Sequence, residues 1–267
     1  MKVLMIGAGN MGSTYAEGMS KSSLLNGRKL QIFDKDAEKM AKMQEEGIFD
    51  TFDKLEDCLP EADIVFIAVK PYHIDTLFEE MKPLINNKQM FVSLMAGVTL
   101  DTILEGLNVK KVIRTMPNLP AQIGKGVTSY TESEAVSKLE LLLVRSFLDM
   151  TGRSIHVDNE NFIDASTGIS GSGPAYVFYF MQSMLEAAKK MGFSDYDSHV
   201  LVSSTFEGAI QLFNNENVTP KTWMDRVASK GGTTRAALDS MDENHVDKLI
   251  KDAAYAAFNR AIELGKE

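Results

Sequence analysis

The feature that most constrains this chain is a glycine-rich turn near its N-terminus, set between an apolar strand and a helix. Residues 3–6 are apolar, and residues 7–12 follow as a G-x-G-x-x-G sequence. The first glycine permits a tight turn, the second leaves room for phosphates, and the third lets helix and strand pack closely. Amides at a helix start favour an anion. The turn therefore predicts a pyrophosphate site, with the expected contacts Ile6, Gly7, Ala8, Gly9, Asn10, Met11 and Gly12.

The sequence after this turn supplies the context that the motif requires. Residues 30–33 form a second predicted strand, which ends at Asp34, about 20 residues beyond the last glycine. An acidic residue at that spacing is typical of dinucleotide-binding units, where it contacts a ribose hydroxyl. The alternative is an ordinary glycine-rich turn in an α/β domain.

Strand and helix patterns alternate through the first part of the chain. Nearly all-apolar segments such as residues 64–69 indicate strands buried on both faces, as in a parallel sheet. A helix is expected at residues 134–149 with Ser133 as its cap. The alternation predicts a doubly wound α/β domain of the Rossmann type over residues 1–158. The expected strands are 3–6, 30–33, 64–69, 91–94, 111–114, 126–130 and 154–157.

Strand patterns stop near residue 159, and residues 159–267 are predicted to form an all-helical substrate and dimerisation domain. The helix at 174–191 has almost no polar face, which favours burial against a second subunit in a homodimer. The alternative is a central helix in a monomer. The expected helices are 161–169, 174–191, 198–215, 220–227, 234–241 and 246–264.

The charge balance limits the possible partners. The net charge is −9 and no run of Lys or Arg occurs, which argues against nucleic acid or an anionic membrane as the main partner. Met1 leads directly into the first strand and no apolar stretch is long enough to span a membrane, so a cytoplasmic protein is expected. Cys58 is the single cysteine and is expected to be an inert thiol. No metal site is expected.

Three further loops follow predicted strands, at the sheet edge where ligands bind in this architecture. Lys70 is either a cofactor contact or a solvated lysine, and Gly97 either admits a ring closely or makes a simple turn. Asn118 lies between two prolines. Its side chain is expected to donate a hydrogen bond to cofactor or substrate, and the alternative is that it only caps a turn. The cofactor contacts expected from these loops are Ala68, Val69, Lys70, Pro71, Met95, Ala96, Gly97 and Asn118.

Two small-residue segments lie in the helical part. Residues 170–175 are either a flexible connection or a place where a ligand approaches the backbone. Residues 229–234 place two glycines and two threonines ahead of a helix, which predicts an anion-binding nest suited to a carboxylate; the alternative is a plain helix cap. The expected substrate contacts are Ser229, Gly231, Gly232, Thr233 and Thr234.

None of the four histidines falls in these motifs, although a hydroxy-acid dehydrogenase usually needs a positioned base. A cyclic imine that arrives protonated accepts hydride without a strong enzyme acid, so the pattern favours such a substrate. A lysine or tyrosine base remains an alternative.

Five blocks of the chain together resemble pyrroline-5-carboxylate reductase. They are residues 7–12, 68–71, 114–118, 170–176 and 227–234, and they fall in the family's order over nearly the whole chain. The resemblance implies hydride transfer from NADH or NADPH to C5 of 1-pyrroline-5-carboxylate, giving proline. It also implies a dimer interleaved through the C-terminal helices, sometimes assembled further, with the active site between the two domains.

The resemblance also assigns roles to residues. Thr234 would be the catalytic residue that hydrogen-bonds the ring nitrogen, and the 231–234 amides, with Ser229, would hold the carboxylate. Family members often place Asn-Arg where this chain has Asp34-Lys35. A carboxylate accepts bonds from a free ribose 2′-hydroxyl and repels a 2′-phosphate, which favours NADH, while Lys35 offsets part of that repulsion.

Two competing classes stay open at this point. The first is a β-hydroxyacid or related imine-reducing dehydrogenase. Enzymes of that class resemble one another in carrying a catalytic lysine in the first long helix of the second domain, but residues 174–186 contain no lysine. A non-catalytic dinucleotide sensor would keep residues 7–12 but has no need of the intact 231–234 segment.

Overall fold

The computed structural model describes residues 1–265 and contains one eight-stranded sheet. The strand order is β3-β2-β1-β4-β5-β6-β7-β8, and every neighbouring pair is parallel except β6 with β7. The strands are β1 Val3–Ile6, β2 Leu30–Phe33, β3 Phe49–Phe52, β4 Ile64–Ile67, β5 Met90–Ser93, β6 Val112–Met116, β7 Gly126–Glu132 and β8 Gly152–His156. Strands β1, β2, β4 and β5 are buried at every residue, as expected for a sheet covered on both faces.

Helices cover both faces of this sheet, so the predicted doubly wound architecture is confirmed. One apolar cluster joins the strands to α1, α2 and α5, with Tyr15 and Phe147 among its buried members. The other joins them to α3 and α4, with Phe78 and Ile103. The helices are α1 Asn10–Ser20, α2 Ala37–Glu46, α3 Ile74–Met81, α4 Leu100–Leu107, α5 Lys138–Leu148, α6 Glu160–Ser166, α7 Gly173–Lys190, α8 Asp195–Asn215, α9 Pro220–Val227, α10 Thr233–Glu243 and α11 Val246–Leu264.

Several elements differ from the sequence-based expectation. Strand β3 was not expected, because Asp50 and Thr51 interrupt its apolar pattern at the edge of the sheet. The helix expected at 134–149 begins only at α5, where Ser137 is the cap and forms a capping box with Glu140. Ser133 is not a cap, because its hydroxyl accepts from the Val112 amide and donates to a carbonyl in the loop before β6.

The helix expected at 161–169 is interrupted. Helix α6 ends at Ser166, and Thr167–Gly171 continue as a turn of π-helix. Such turns are uncommon and often occur near functional sites. A Cβ at Gly171 would meet the flexible end of the Met116 side chain, Cε, at 2.5 Å, so the π-turn packs closely against β6 at this residue.

The chain separates into two compact units. One unit contains residues 1–172 together with the end of α11 from Ala256, and the other is Gly173–Tyr255. Helix α6 and the π-turn therefore belong with the sheet and not with the helical unit. The second unit consists of α7 to α10 and the first part of α11, without strands among its residues.

A buried arginine explains why α6 belongs to the sheet unit. Arg114 on β6 is 1% exposed and donates to Glu160 Oε1 at 2.7 Å and to Asp164 Oδ1 at 2.6 Å, both on α6. Glu160 Oε1 also accepts from the Leu100 amide, at the start of α4. A buried charge is costly unless it is paired and hydrogen-bonded, so the three side chains must stay together.

We expect that Asp164→Asn lowers the free energy of unfolding by about 2 kcal/mol, since a buried charge-assisted bond is lost while Glu160 still pairs with Arg114. Chemical denaturation at one fixed protein concentration measures this change. The control Asp225→Asn breaks an exposed pair with Lys221 and should change stability by less than about 0.5 kcal/mol. Equal effects of the two variants would contradict the assigned role of the buried cluster.

Candidate active site

A cleft lies at the carboxyl ends of β1, β2 and β4, the edge where ligands bind in this architecture. Its volume is about 480 Å³. It is lined by Ile6, Gly7, Gly9, Phe33, Asp34, Lys35, Lys39, Ala68, Val69, Lys70, Tyr72, His73, Thr76 and Leu77. The glycine-rich turn, the acidic residue after β2 and the loop after β4 thus meet at one place, as the sequence predicted.

The three motif glycines have three different structural causes. Gly7 has a φ of +101°, and a Cβ there would lie 2.9 Å from the backbone of Ala68, directly after the neighbouring strand β4. A Cβ on Gly12 would lie 1.9 Å from the Gly7 carbonyl oxygen, so any side chain would push α1 away from β1. At Gly9 no atom lies within 4 Å of the Cβ position. Protein packing therefore does not require glycine at position 9, and the backbone there is open to the approach of a phosphate.

The carboxylate of Asp34 is held in place by the turn itself. Its Oδ2 accepts from the Ala8 amide at 2.6 Å, and its Oδ1 accepts from the Asp36 amide at 2.9 Å. Each oxygen has two lone pairs, so each retains capacity for a ribose hydroxyl. The contact with Ala8 ties the ribose position to the phosphate turn.

The cleft concentrates cations in a chain that is acidic overall. Lys35, Lys39 and Lys70 line it, against a net charge of −9 for the whole chain. The hydrogen bond that Lys39 donates to Asp36 and the charge of Asp34 raise the pKa of Lys39, so this lysine stays protonated at neutral pH. Asp34 also lines the cleft, and Lys35 and Lys39 are paired with Glu80 and Asp36, so the lysines offset the acidity of the chain locally.

The cleft also contains residues that the sequence analysis missed. Tyr72 and His73 belong to a 3₁₀ turn directly after the loop of Lys70 and Pro71. Their position beyond a strand end was the available signal, although the histidine was set aside because it lies outside the motifs. The other missed lining residues are Phe33, Lys39, Thr76 and Leu77.

The remaining residues of the glycine-rich turn lie beside the cleft. Ala8 and Asn10 line a neighbouring groove together with Gly9, Ser13 and Thr14. Met11 and Gly12 lie in the first turn of α1, and Gly12 is buried. The turn thus presents its backbone to both openings.

The loop after β5 is explained partly by packing inside the protein. Gly97 has a φ of +76°, and a Cβ there would lie 2.9 Å from Leu264 Cβ near the end of α11. Met95 is buried, and its amide donates to Ser93 Oγ at 3.2 Å. The missing side chain of Gly97 therefore makes room for α11. Contacts of Met95, Ala96 and Gly97 with a cofactor stay a prediction. Because the Met95 side chain is buried, its contact would have to be made by backbone atoms.

Asn118 joins two parts of the sheet unit. Its Nδ2 donates to the Ser170 carbonyl in the π-turn at 3.1 Å, and its Oδ1 accepts from the Val127 amide on β7 at 2.9 Å. These two bonds fix the π-turn beside the carboxyl end of β6. A contact of Asn118 with cofactor or substrate stays a prediction, to be made by its second amide hydrogen.

Residues 229–234 form a turn that leads into α10. Gly231 has a φ of +73°, and the Gly232 amide donates to the Ser229 carbonyl at 3.0 Å. Gly232 is the cap residue of α10 and makes no side-chain cap, so the amides of Thr233 and Thr234 lie in the first turn. Amides in the first turn of a helix lack intrahelical acceptors and attract anions. The predicted nest therefore has suitable backbone geometry within its own unit.

Cysteine and metal chemistry have little support in the described part of the chain. Cys58 is buried, and desolvation raises the pKa of its thiol to about 12, so the nucleophilic thiolate is scarcely populated at neutral pH. Residues 1–265 contain no group of three or more His, Cys, Asp or Glu side chains suited to hold a metal ion. Within the same residues, no helix combines the length and the apolar character needed to cross a membrane.

The fold and the cleft define an α/β protein of the dinucleotide-binding class. Residues 2–97 match the family model described as NADP oxidoreductase coenzyme F420-dependent. Residues 160–264 match the model described as pyrroline-5-carboxylate reductase dimerisation. A curated pyrroline-5-carboxylate reductase of Pseudomonas aeruginosa is 32% identical, with 100% of this chain and 97% of the relative covered. The chain belongs to the pyrroline-5-carboxylate reductase family.

Solved structures agree with this assignment. A pyrroline-5-carboxylate reductase from Coxiella burnetii has a TM-score of 0.89 at 30% identity and covers 100% of this chain and 99% of its own. A Plasmodium falciparum pyrroline carboxylate reductase with NADP bound has a TM-score of 0.87 at 25% identity, with coverage of 99% and 98%. The similarity extends over both compact units of the chain.

The glycines allow a paired prediction. We expect Gly12→Ala to lower the free energy of unfolding by about 1–3 kcal/mol, because its Cβ meets the Gly7 carbonyl. Gly9→Ala should cost less than about 1 kcal/mol but weaken NAD(P)⁺ binding at least about tenfold. Denaturation and isothermal titration calorimetry measure the two effects. Unchanged dinucleotide affinity in Gly9→Ala would show that the phosphates do not approach this residue.

Proposed function

We propose that this protein reduces 1-pyrroline-5-carboxylate to L-proline with NADH or NADPH, the last step of proline biosynthesis. The observation that carries the proposal is the cleft at the carboxyl edge of the sheet, where the glycine-rich turn leaves the backbone at Gly9 open to a phosphate and Asp34 lines the same cleft. Family membership over the whole chain supplies the substrate.

The protein's part in cofactor binding follows from the cleft. Backbone amides of the glycine-rich turn and the start of α1 hold the pyrophosphate, since they need no side-chain charge. Asp34 receives the ribose next to the adenine, and the loops after β4 and β5 border the nicotinamide through Lys70, Ala96 and Gly97. The nicotinamide supplies the hydride that reduces the imine carbon.

The turn before α10 binds the substrate carboxylate. The amides of Gly231, Thr233 and Thr234 contact the anion, with the Ser229 hydroxyl nearby, and the Gly232 amide closes the turn by donating to the Ser229 carbonyl. This contact fixes the orientation of the five-membered ring relative to the turn. It also selects for imino acids over neutral cyclic imines, since a neutral ring leaves the amides unpaired.

Thr234 positions the reacting nitrogen. Its hydroxyl hydrogen-bonds the ring nitrogen, which arrives as the protonated imine. Addition of hydride to C5 then converts the iminium into a neutral secondary amine, so the step needs no proton from the protein. Because the protonated nitrogen is the donor, the hydroxyl oxygen accepts this hydrogen bond and orients the ring, which is sufficient for this chemistry.

Asp34 makes NADH the favoured cofactor in this proposal. Its carboxylate is fixed by Ala8 and Asp36, so it does not swing away from a 2′-phosphate without losing two hydrogen bonds. Repulsion between this fixed charge and a phosphate disfavours NADPH.

The test is to follow oxidation of NADH and of NADPH in parallel when 1-pyrroline-5-carboxylate is added to the purified protein. We expect turnover with both, with the larger kcat/KM for NADH. A protein that binds the dinucleotides but turns over neither would contradict the proposed activity. A larger kcat/KM for NADPH would contradict only the role given to Asp34.

Removal of the Thr234 hydroxyl should slow the reaction moderately. We expect Thr234→Ala to lower kcat by about 10²-fold or less, because the hydroxyl supplies one hydrogen bond and not the hydride. Thr234→Ser keeps the hydroxyl and should stay within about threefold of the parent enzyme. Steady-state kinetics, with dinucleotide affinity measured alongside, separates this effect from damage to the fold. Unchanged kinetics in Thr234→Ala would remove the residue from the site.

The helical unit carries the dimer. Helix α7 has no buried residue in the single chain, although Val177, Phe178 and Tyr179 lie on it. So much exposed apolar surface favours association, and residues 160–264 match the dimerisation model of the family. We extend the proposal to a homodimer through these helices that assembles further, and that acts in the cytoplasm.

Oligomer mass provides the test of this surface. Light scattering should give at least twice the chain mass of 29.5 kDa. Tyr179→Lys should release monomer on dilution, because an ammonium group would be buried in an apolar interface. Leu139→Lys on α5 is the matched control, since the exposed fractions are 80% for Tyr179 and 79% for Leu139. Dissociation by the control, or a monomeric parent protein, would contradict the assignment.

A further inference from the structure

An ion pair joins two walls of the cofactor cleft. Lys35 Nζ lies 2.5 Å from Glu80 Oε1. Lys35 follows β2 and lines the cleft beside Asp34, whereas Glu80 lies on α3 one helical turn beyond Thr76, which also lines it. The pair therefore connects the wall that carries the ribose carboxylate with the wall formed by α3.

Lys35 occupies the position that decides between the two cofactors. In this architecture the residues at the end of the second strand meet the 2′-position of the ribose, where NADPH carries a phosphate and NADH a hydroxyl. A lysine next to that position is able to neutralise a phosphate as a point charge. The strength of this contact depends on whether the ammonium group is available.

The other lysine near Asp34 is also paired. Lys39 Nζ lies 3.1 Å from Asp36 Oδ2, within α2 and its cap. Both cations next to the ribose carboxylate thus have a carboxylate partner before any cofactor binds. Asp36 also caps α2 by accepting from two amides, so its replacement would disturb the helix. Glu80 can be replaced without disturbing a helix cap, so its ion pair with Lys35 is the one to test by substitution.

We propose that Glu80 is a specificity residue for the cofactor. It holds Lys35 in an ion pair, competes with a 2′-phosphate for the ammonium group, and so favours the unphosphorylated dinucleotide. The proposal rests on the proposed function only in requiring that this cleft binds NAD(P). It identifies a residue of α3, outside the glycine-rich turn and the β2 end, as part of the cofactor choice.

The test is the ratio of the dissociation constants for NADP⁺ and NAD⁺, measured by isothermal titration calorimetry at fixed ionic strength without imine substrate. Glu80→Gln should shift the ratio toward NADP⁺ by about fivefold, the size expected when an exposed pair is broken and one nearby negative charge is removed. The affinity for NAD⁺ should change by less than about twofold. The parent protein and all variants are compared as full-length chains with matched thermal stability.

Two controls separate the ion pair from a general charge effect. Glu79→Gln removes the same charge from the adjacent position of α3, where the partner is Lys82, and should leave the ratio within about twofold. In a Lys35→Gln background, Glu80→Gln should no longer shift the ratio. No shift in Glu80→Gln, an equal shift in Glu79→Gln, or a shift that persists without Lys35 would each overturn the proposal.

The same measurements distinguish this proposal from the proposed activity. A shift confined to Glu80→Gln supports the specificity role even if 1-pyrroline-5-carboxylate is not turned over. Turnover of the imine with no shift in the ratio overturns the specificity role and leaves the activity intact. A parent protein that binds neither dinucleotide overturns both.

Discussion

The close approach of α1 to β1 at Gly12 is the contact on which the cofactor site depends. A Cβ at this residue would lie 1.9 Å from the Gly7 carbonyl oxygen, so the helix reaches its position only because the side chain is absent. That position directs the first-turn amides of α1 toward the carboxyl edge of β1. The same turn is fixed from the other side by the bond from the Ala8 amide to Asp34. One packing constraint thereby places the phosphate and the ribose positions together.

A second constraint organises the opposite half of the sheet. Arg114 on β6 is buried and must be neutralised, and Glu160 and Asp164 do this from α6. Asn118, at the end of the same strand, holds the π-turn that follows α6. The first helical residues of the family's dimerisation region are therefore bound to the sheet by polar contacts. This explains why the first compact unit extends to Ser172, beyond the end of the last strand.

Features that depend on local sequence were predictable. The strands buried on both faces are continuous apolar runs, and the glycine-rich turn requires glycine for backbone reasons that hold in any such fold. Helices α9 and α11 were expected at the residues where they are found, since Pro220 begins the first and the apolar period is regular in the second. These signals lie within one segment of chain and need no knowledge of tertiary partners.

Features that depend on distant partners were not predictable. Ser133 has the chemistry of a helix cap, but the loop before β6 takes its hydroxyl, and Ser137 caps α5 instead. At Gly97 the sequence indicated either a close approach of a ring or a simple turn, and it could not show that the approach of Leu264 also requires glycine. In both cases the deciding contact comes from an element far away in sequence. The local sequence pattern alone does not indicate which distant element will contact the residue.

The same distinction separates the two tasks of the cofactor cleft. In the proposed site, backbone amides of the turn bind the pyrophosphate, and this use of the backbone leaves a recognisable sequence because it requires glycine. Discrimination at the ribose depends instead on side-chain charges from β2, α2 and α3, and each of the two lysines beside Asp34 is paired with a carboxylate. Such pairs contribute little to stability when exposed, so folding places few constraints on them. The cleft is therefore free to change its preference between cofactors through single surface charges while the turn that binds both stays the same.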